Sequence, residues 1–303
     1  MKVLITGAGG FVGKNLQQHL AERKDVEVVC FTRANTVAEL PRLLDGVEFV
    51  FHLAGVNRPQ DPQEFVTGNA DLTAALVQAV EGEMRARGRK VAIVCTSSTQ
   101  AARDNPYGAS KRAAEDLLRA FAARTGAAAH VFRLPNVFGK WCRPNYNSAV
   151  ATFCHNIARG LPIQINDPAA PVTLVYVDDV VERFIELMDG ADAAVDAEGF
   201  ATVTPQYTTT VGELARLIET FRASRDTLVT ERVGTGLVRA LYSTYVSYLP
   251  PELFAYPVPM HGDARGVFVE MLKTPDCGQF SFFTAHPGIT RGGHYHHTKT
   301  EKF

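Results

Sequence analysis

Apolar positions in the first 130 or so residues fall into short unbroken runs separated by longer amphipathic stretches. Val3-Leu4-Ile5, Val26-Glu27-Val28-Val29, Glu48-Phe49-Val50-Phe51, Val91-Ala92-Ile93-Val94 and Ala128 to Phe132 have strand length and are rich in β-branched or aromatic residues. Between them, the stretches near 11–23, 62–86 and 107–125 carry a helical period. Strands apolar along their whole length need cover on both faces, so the alternation predicts an α/β fold with a doubly wound parallel sheet of Rossmann type. Such a sheet binds its ligands at the carboxyl ends of its strands.

Beyond residue 130 the pattern loosens into Arg133 to Gly139, a helical run near 147–159, a strand-like Val172 to Tyr176, a helix from Asp178 to Met188 and another after Val211. Near Tyr248 it changes again. Pro250-Pro251, Pro257 and Pro259 precede segments of period two, Gly266 to Glu270 and Gln279 to Phe283, which predict a boundary at 245–255 and an all-β tail. The reading is a first unit over 1–245 and a second over 250–303. About 50 residues of β-structure hardly supply a core of their own, so the tail is expected to be an incomplete domain or one completed by a partner.

Composition narrows the function. With 46% hydrophobic and 21% charged residues, the 303-residue chain can bury a substantial core. A net charge of -1 offers no global cationic field for nucleic acid or an anionic membrane. No apolar run approaches the ~18 residues of a spanning helix. The opening Val3-Leu4-Ile5 is also far shorter than the ~7 to 15 residues of a secretion signal. Cys30, Cys95, Cys142, Cys154 and Cys277 are odd in number and include no C-x-x-C pair. A reducing cytoplasm is therefore the expected compartment.

The first strand runs into Thr6-Gly7-Ala8-Gly9-Gly10-Phe11-Val12-Gly13 and then a helix. Glycines there let the backbone turn tightly and bring the helix amino terminus, with Phe11 and Val12 at its start, against a pyrophosphate. The spacing is G-x-x-G-x-x-G, and its place between strand and helix makes it a dinucleotide cradle. About 20 residues later an NAD enzyme shows an acid for the ribose hydroxyl; from Val28 to Ala38 there is none, and Arg33 stands there instead. Arg33 points to the 2′-phosphate of NADP(H), against the plainer reading of a solvated loop arginine.

At the end of the fourth strand lie Ser97 and Ser98, followed by Asn105-Pro106-Tyr107-Gly108-Ala109-Ser110-Lys111. Tyr107 and Lys111, four apart on a helix, share a face, where an ammonium can draw down a phenol's pKa of ~10. Such a tyrosine can exchange a proton with a carbonyl oxygen, and Ser98, or its neighbour Ser97, can donate to the same oxygen.

These elements, with His52-Leu53-Ala54-Gly55, Asn69, Arg133-Leu134-Pro135-Asn136-Val137-Phe138-Gly139 and Tyr176-Val177-Asp178-Asp179-Val180, resemble the extended short-chain dehydrogenase/reductases, the family of nucleotide-sugar epimerases, dehydratases and reductases. The resemblance implies Tyr107 as catalytic acid, Lys111 holding the nicotinamide ribose, Leu53 and Ala54 beside the cofactor and Asn136 near the sugar nucleotide. The 4,6-dehydratases of the family carry Thr-Asp-Glu where this chain has Ser98-Thr99-Gln100, so dehydration is disfavoured. C4 epimerisation uses the same groups and stays open.

In the tail, Gly293-His294-Tyr295-His296-His297-Thr298-Lys299-Thr300-Glu301 resembles the first cupin motif. His294 and His296 share a strand face and Glu301 can return an oxygen, a donor set suited to zinc or another divalent ion. Asp263 to Glu270 resembles the opening of deoxysugar epimerase cupins, in which Arg265 would hold a diphosphate; a rim charge is the plainer alternative. Reductase followed by cupin opening resembles the bifunctional capsular polysaccharide enzyme family often called CapF or WbjC. That resemblance implies a UDP-linked 4-keto-6-deoxy amino sugar, C3 proton exchange by the complete cupin, C4 reduction by NADPH and a homodimer. The competing expectations are an NAD(P)-retaining C4 epimerase and a non-catalytic dinucleotide sensor or assembly module.

Overall fold

The chain is represented by a computed structural model, which describes residues 1–276, 278–293, 295–298 and 300. The apolar runs become β1 (Lys2–Thr6), β2 (Glu27–Phe31), β3 (Phe49–His52), β4 (Ala92–Ser98) and β5 (Ala129–Leu134), hydrogen-bonded in parallel in the order β2-β1-β3-β4-β5. Val3, Leu4, Ile5, Val50 and Phe51 have no exposed surface. Each such side chain contributes about 1.5–3 kcal/mol by leaving water.

The crossovers that cover the sheet are α1 (Phe11–Ala21), the single-turn α2 (Leu40–Leu43), α3 (Gln63–Phe65) with α4 (Leu72–Arg87), and α5 (Pro106–Thr125). The helical stretch expected over 62–86 is not one regular helix: a π turn, Val66–Asp71, separates α3 from α4 and buries Asn69. A left-handed glycine, Gly88 or Gly126, ends α4 and α5, and Asn105 caps α5 by accepting from the Gly108 amide at 2.8 Å. Strand order reverses between β1 and β3, so the connections that leave their carboxyl ends run to opposite faces of the sheet and open the crevice that such sheets use for ligands.

A second sheet joins β6 (Asn136–Phe138), β7 (Pro171–Tyr176) and β8 (Tyr207–Thr210), packed with α6 (Ala149–Ala158), α7 (Val177–Met188), α8 (Val211–Thr227) and α9 (Gly236–Ser247). The tail forms a third sheet, antiparallel throughout, from β9 (Met260–Asp263), β10 (Gly266–Thr274) and β11 (Gly278–Phe283). It is tied to the segment after α8 by two bonds of 2.8 Å, Thr230 N–H to the Lys273 carbonyl and Lys273 N–H to the Leu228 carbonyl. Among the described residues, no helix is long and apolar enough to cross a membrane.

Candidate active site

The glycine turn after β1 is fixed by close approach. Gly7 adopts φ 69°, and a Cβ there would stand 2.6 Å from the Ala54 amide nitrogen and 2.7 Å from the Leu53 carbonyl carbon. Only glycine allows the β1 and β3 ends to meet in this way. The Leu53 amide donates to the Thr6 carbonyl at 3.1 Å and the Gly10 amide to the Gly7 carbonyl at 2.8 Å. Gly10 opens α1 without a side-chain cap, so no cap side chain takes up the first amides of the helix, those of Phe11 and Val12. A cavity of about 490 Å³ opens beside this turn, lined among others by Gly9, Lys14, Thr32 and Trp141. The absence of a Cβ at Gly7 and the uncapped amides fit a dinucleotide's pyrophosphate. Arg33 lies exposed in the turn after β2 and has no ion-pair partner among the described residues.

A buried polar chain runs from β1 to the start of α5. Thr73 donates to the Asn69 carbonyl at 2.7 Å, so its oxygen receives the Nε2 proton of His52 at 2.9 Å. The Nδ1 atom of His52 therefore accepts from the Thr6 hydroxyl at 2.7 Å, which fixes a neutral imidazole. Burial pushes the His52 pKa down to about 3, assisted by the Lys111 charge. The Asn69 amide donates to the Val56 carbonyl at 3.0 Å and to Ser110 Oγ at 2.9 Å, while its oxygen accepts the Val56 amide at 2.9 Å. Ser110 in turn donates to the Tyr107 carbonyl at 2.8 Å.

Tyr107 and Lys111 occupy adjacent turns of α5, and Asn105 fixes where that helix starts. Tyr107 is half-buried, its ring 5.6 Å from that of Phe65. Burial raises its pKa, and the group that draws it back is the hydroxyl of Ser98. Lys111 is buried; its Nζ donates to the Thr96 carbonyl at 3.2 Å and burial lowers its pKa, with Cys95 and Glu115 pulling the other way. Gly55 presents bare backbone to it, since a Cβ there would lie 2.9 Å from Lys111 Nζ. In the protein alone, Ser98 acts on the phenol where the sequence suggested the lysine.

The two serines separate cleanly. Ser97 is buried and donates to Glu115, whose carboxylate is gripped by Arg133 at 2.8 Å and 3.1 Å. Ser98 accepts the Gln100 amide at 3.2 Å, which leaves its hydroxyl hydrogen free to donate. Glu115, which ties Ser97 of β4 to Arg133 of β5, was not among the expected site residues. The signal was present, because Glu115 lies four residues after Lys111 on the same helical face.

The other expected residues lie on other elements. Asn136 is exposed at the start of β6, and its amide donates to the Thr173 carbonyl at 3.1 Å. Arg265 lies in the terminal sheet, paired with Asp263 at 2.5 Å across the β9–β10 turn. Of the histidine-rich segment, His296 is exposed, while His294 and Glu301 lie outside the described residues. Among the described residues no group of three or more His, Cys, Asp or Glu converges as a metal site.

Residues 3–200 match the NAD dependent epimerase/dehydratase family, and residues 261–303 match the polysaccharide biosynthesis C-terminal domain. The UDP-2-acetamido-2,6-beta-L-arabino-hexul-4-ose reductase of Pseudomonas aeruginosa is 62% identical over 304 residues, covering 100% of this chain and 80% of its own. The crystal structure of the capsular polysaccharide assembling protein CapF from Staphylococcus aureus superposes with a TM-score of 0.88 at 43% identity, covering 98% of this chain and 79% of that one. UDP-glucuronic acid 4-epimerase from Bacillus cereus, solved with UDP-glucuronic acid and NAD, shares the fold at a TM-score of 0.65 and 16% identity over 82% of this chain and 99% of that one.

Proposed function

The chain belongs to the NAD-dependent epimerase/dehydratase family, and on that premise we propose that it reduces the C4 ketone of a UDP-2-acetamido-2,6-dideoxy-4-hexulose with NADPH, toward UDP-N-acetyl-6-deoxy-L-talosamine. The observation that carries this reading is Ser98 beside Tyr107, with Lys111 one turn along the same helix, at the sheet edge that holds the glycine turn. The printed name of the 62%-identical relative supports the substrate class. The stretch Ser98-Thr99-Gln100, free of carboxyls, supports reduction over dehydration.

NADPH, when bound, supplies the hydride for C4. Burial keeps the Tyr107 phenol protonated at neutral pH, the state a proton donor needs, and it delivers that proton to the former carbonyl oxygen. Ser98 donates to the same oxygen and polarises it. Lys111 holds the nicotinamide ribose; its buried ammonium, fixed by the Thr96 carbonyl, also favours the phenolate left behind. Gly7, Gly10, Phe11, Val12, Leu53 and Ala54 form the pyrophosphate side of the cradle, and Arg33 selects the 2′-phosphate. Asn136 belongs to the sugar-nucleotide side.

Residues 1–245 are read as the reductase and 250–303 as the opening of a cupin. A complete cupin would pair as a homodimer, hold zinc or another divalent metal through His294, His296 and Glu301, and exchange the C3 proton. The described cysteines, free thiols, fit the cytoplasm.

Mixing the purified chain with NADPH and the UDP-4-keto sugar tests the reading. Stoichiometric loss of NADPH absorbance with formation of the 4-hydroxy sugar is expected. Interconversion of C4 epimers without net NADPH loss would instead identify a cofactor-retaining epimerase, and binding without turnover a sensor.

A further inference from the structure

Two loops face each other beside the Ser98, Tyr107 and Lys111 group. The first leaves β3 as Leu53 to Arg58; Asn69 pins it at Val56, and Lys111 closes on it at Gly55. The second leaves β6 and carries Arg143 and Tyr146. Tyr146 joins them, its hydroxyl donating to Asn57 Oδ1 at 3.0 Å. Its ring is shared by two cations, with Arg58 at 5.6 Å and Arg143 at 5.0 Å from the centroid. Both guanidiniums are exposed, and neither has an acidic partner among the described residues.

Two like charges held around one ring, in a chain of net charge -1, form a site built for an anion. Stacking on an aromatic ring leaves the edge of a guanidinium, with its fork of donors, free to take phosphate oxygens in pairs. The glycine turn at the β1 end serves the cofactor's pyrophosphate, so the anion between these loops is a different one. Arg58 is three residues from Gly55, hence at most about 11 Å along the chain from the segment touching Lys111. One sugar ring fits in that interval. We propose that Arg58 and Arg143, braced by Tyr146, form the clamp for the diphosphate of the sugar nucleotide and set the requirement for a nucleoside diphosphate sugar. This rests on the reductase reading for the identity of the sugar, though not for the anion site.

Calorimetric titration with UDP, which needs no turnover, tests the clamp. Arg58→Gln and Arg143→Gln should each weaken UDP binding about tenfold, and the double variant more than either, as the loss of charge-assisted bonds implies. Tyr146→Phe, which keeps the ring and loses the Asn57 bond, should weaken it less. NADPH affinity and melting temperature should stay at wild-type values, which excludes misfolding as the cause. UDP binding undiminished in the double variant, or absent from the wild type, would overturn the proposal. If UDP binding responds as stated while no 4-keto sugar is reduced, the clamp stands and the reductase reading fails.

Discussion

The parallel sheet and the terminal antiparallel sheet spend the same kind of side chain in opposite ways. Phe51 and Phe132 are fully buried in the first, whereas Phe280 and Phe282 in β11 are 65% and 45% exposed. Their charges differ accordingly. In the first region burial is the leading cause of the shifts at three site residues: it raises Tyr107 and lowers Lys111 and His52. In the second, Asp263 is lowered to about 2 by the hydrogen bonds of Arg265, out in solvent. A dry environment makes a hydrogen-bonded chain costly to break and able to hold a proton where chemistry needs it. A wet one makes ion pairs that a fold can lose without harm.

The largest break in that contrast is expected at the half-buried phenol of Tyr107. Tyr107→Phe should lower NADPH oxidation by about 10² to 10⁴-fold, the usual worth of a positioned acid, with NADPH affinity and melting temperature near wild type. Turnover within a few-fold of wild type would remove Tyr107 from the chemistry.

Next in size is the buried clamp behind it. Glu115 is 2% exposed and receives both Ser97 and Arg133. Glu115→Ala takes the buried acceptor from Ser97 and leaves the Arg133 guanidinium only the exposed Glu198 carboxylate, at 2.8 Å; with two hydrogen-bonding groups stripped of that partner it should cost about 3 kcal/mol in denaturant unfolding. A loss no larger than that of a surface pair would mean that the end of β4 is wetter than its packing indicates.

How much of this was legible in the sequence follows the same division. Unbroken apolar runs announced the five parallel strands, and the glycine spacing and the Tyr107–Lys111 interval pointed to the turn after β1 and to one face of α5, because both are local patterns. What stayed hidden is long-range. Nothing near Asn69 reveals that its amide serves Val56 and Ser110, and that service accompanies a π turn that breaks the expected helix. Ser97 and Ser98 are alike in a sequence; only the arrival of Glu115 from α5 commits the first to structure. Tyr146 with its two arginines depends on loops 89 residues apart meeting.

Smaller still, over the range from pH 7 to 5, is the effect of acid on His52. Its folded pKa of about 3 lies below the ordinary ~6.5, so between those values the unfolded chain binds a proton that the fold refuses. Stability from this residue is full above about pH 6.5 and falls by about 1.4 kcal/mol for each unit of acidification, down to about pH 3. A His52→Gln variant, compared with wild type by denaturant melts from pH 7 to 5, should lose less on acidification by about that slope. Parallel curves would mean that the imidazole is charged in the fold.

The smallest effect belongs to the terminal sheet. Asp263 and Arg265 close the β9–β10 turn from exposed positions. Asp263→Asn should leave the melting temperature and NADPH oxidation unchanged. In the wild type the Asp263 carboxyl should titrate near 2 by NMR, and 1 M salt should move it back toward the ordinary carboxylate range, since screening at that strength acts over about 3 Å. The same pair decides what Arg265 is for. If it only holds the turn, Arg265→Ala leaves UDP affinity as it was; if it also takes the diphosphate, UDP binding weakens while the Arg58 and Arg143 clamp is intact. A drop in stability on the scale of Glu115→Ala would show that this turn is as dry as the end of β4, and the contrast between the two sheets would fall with it.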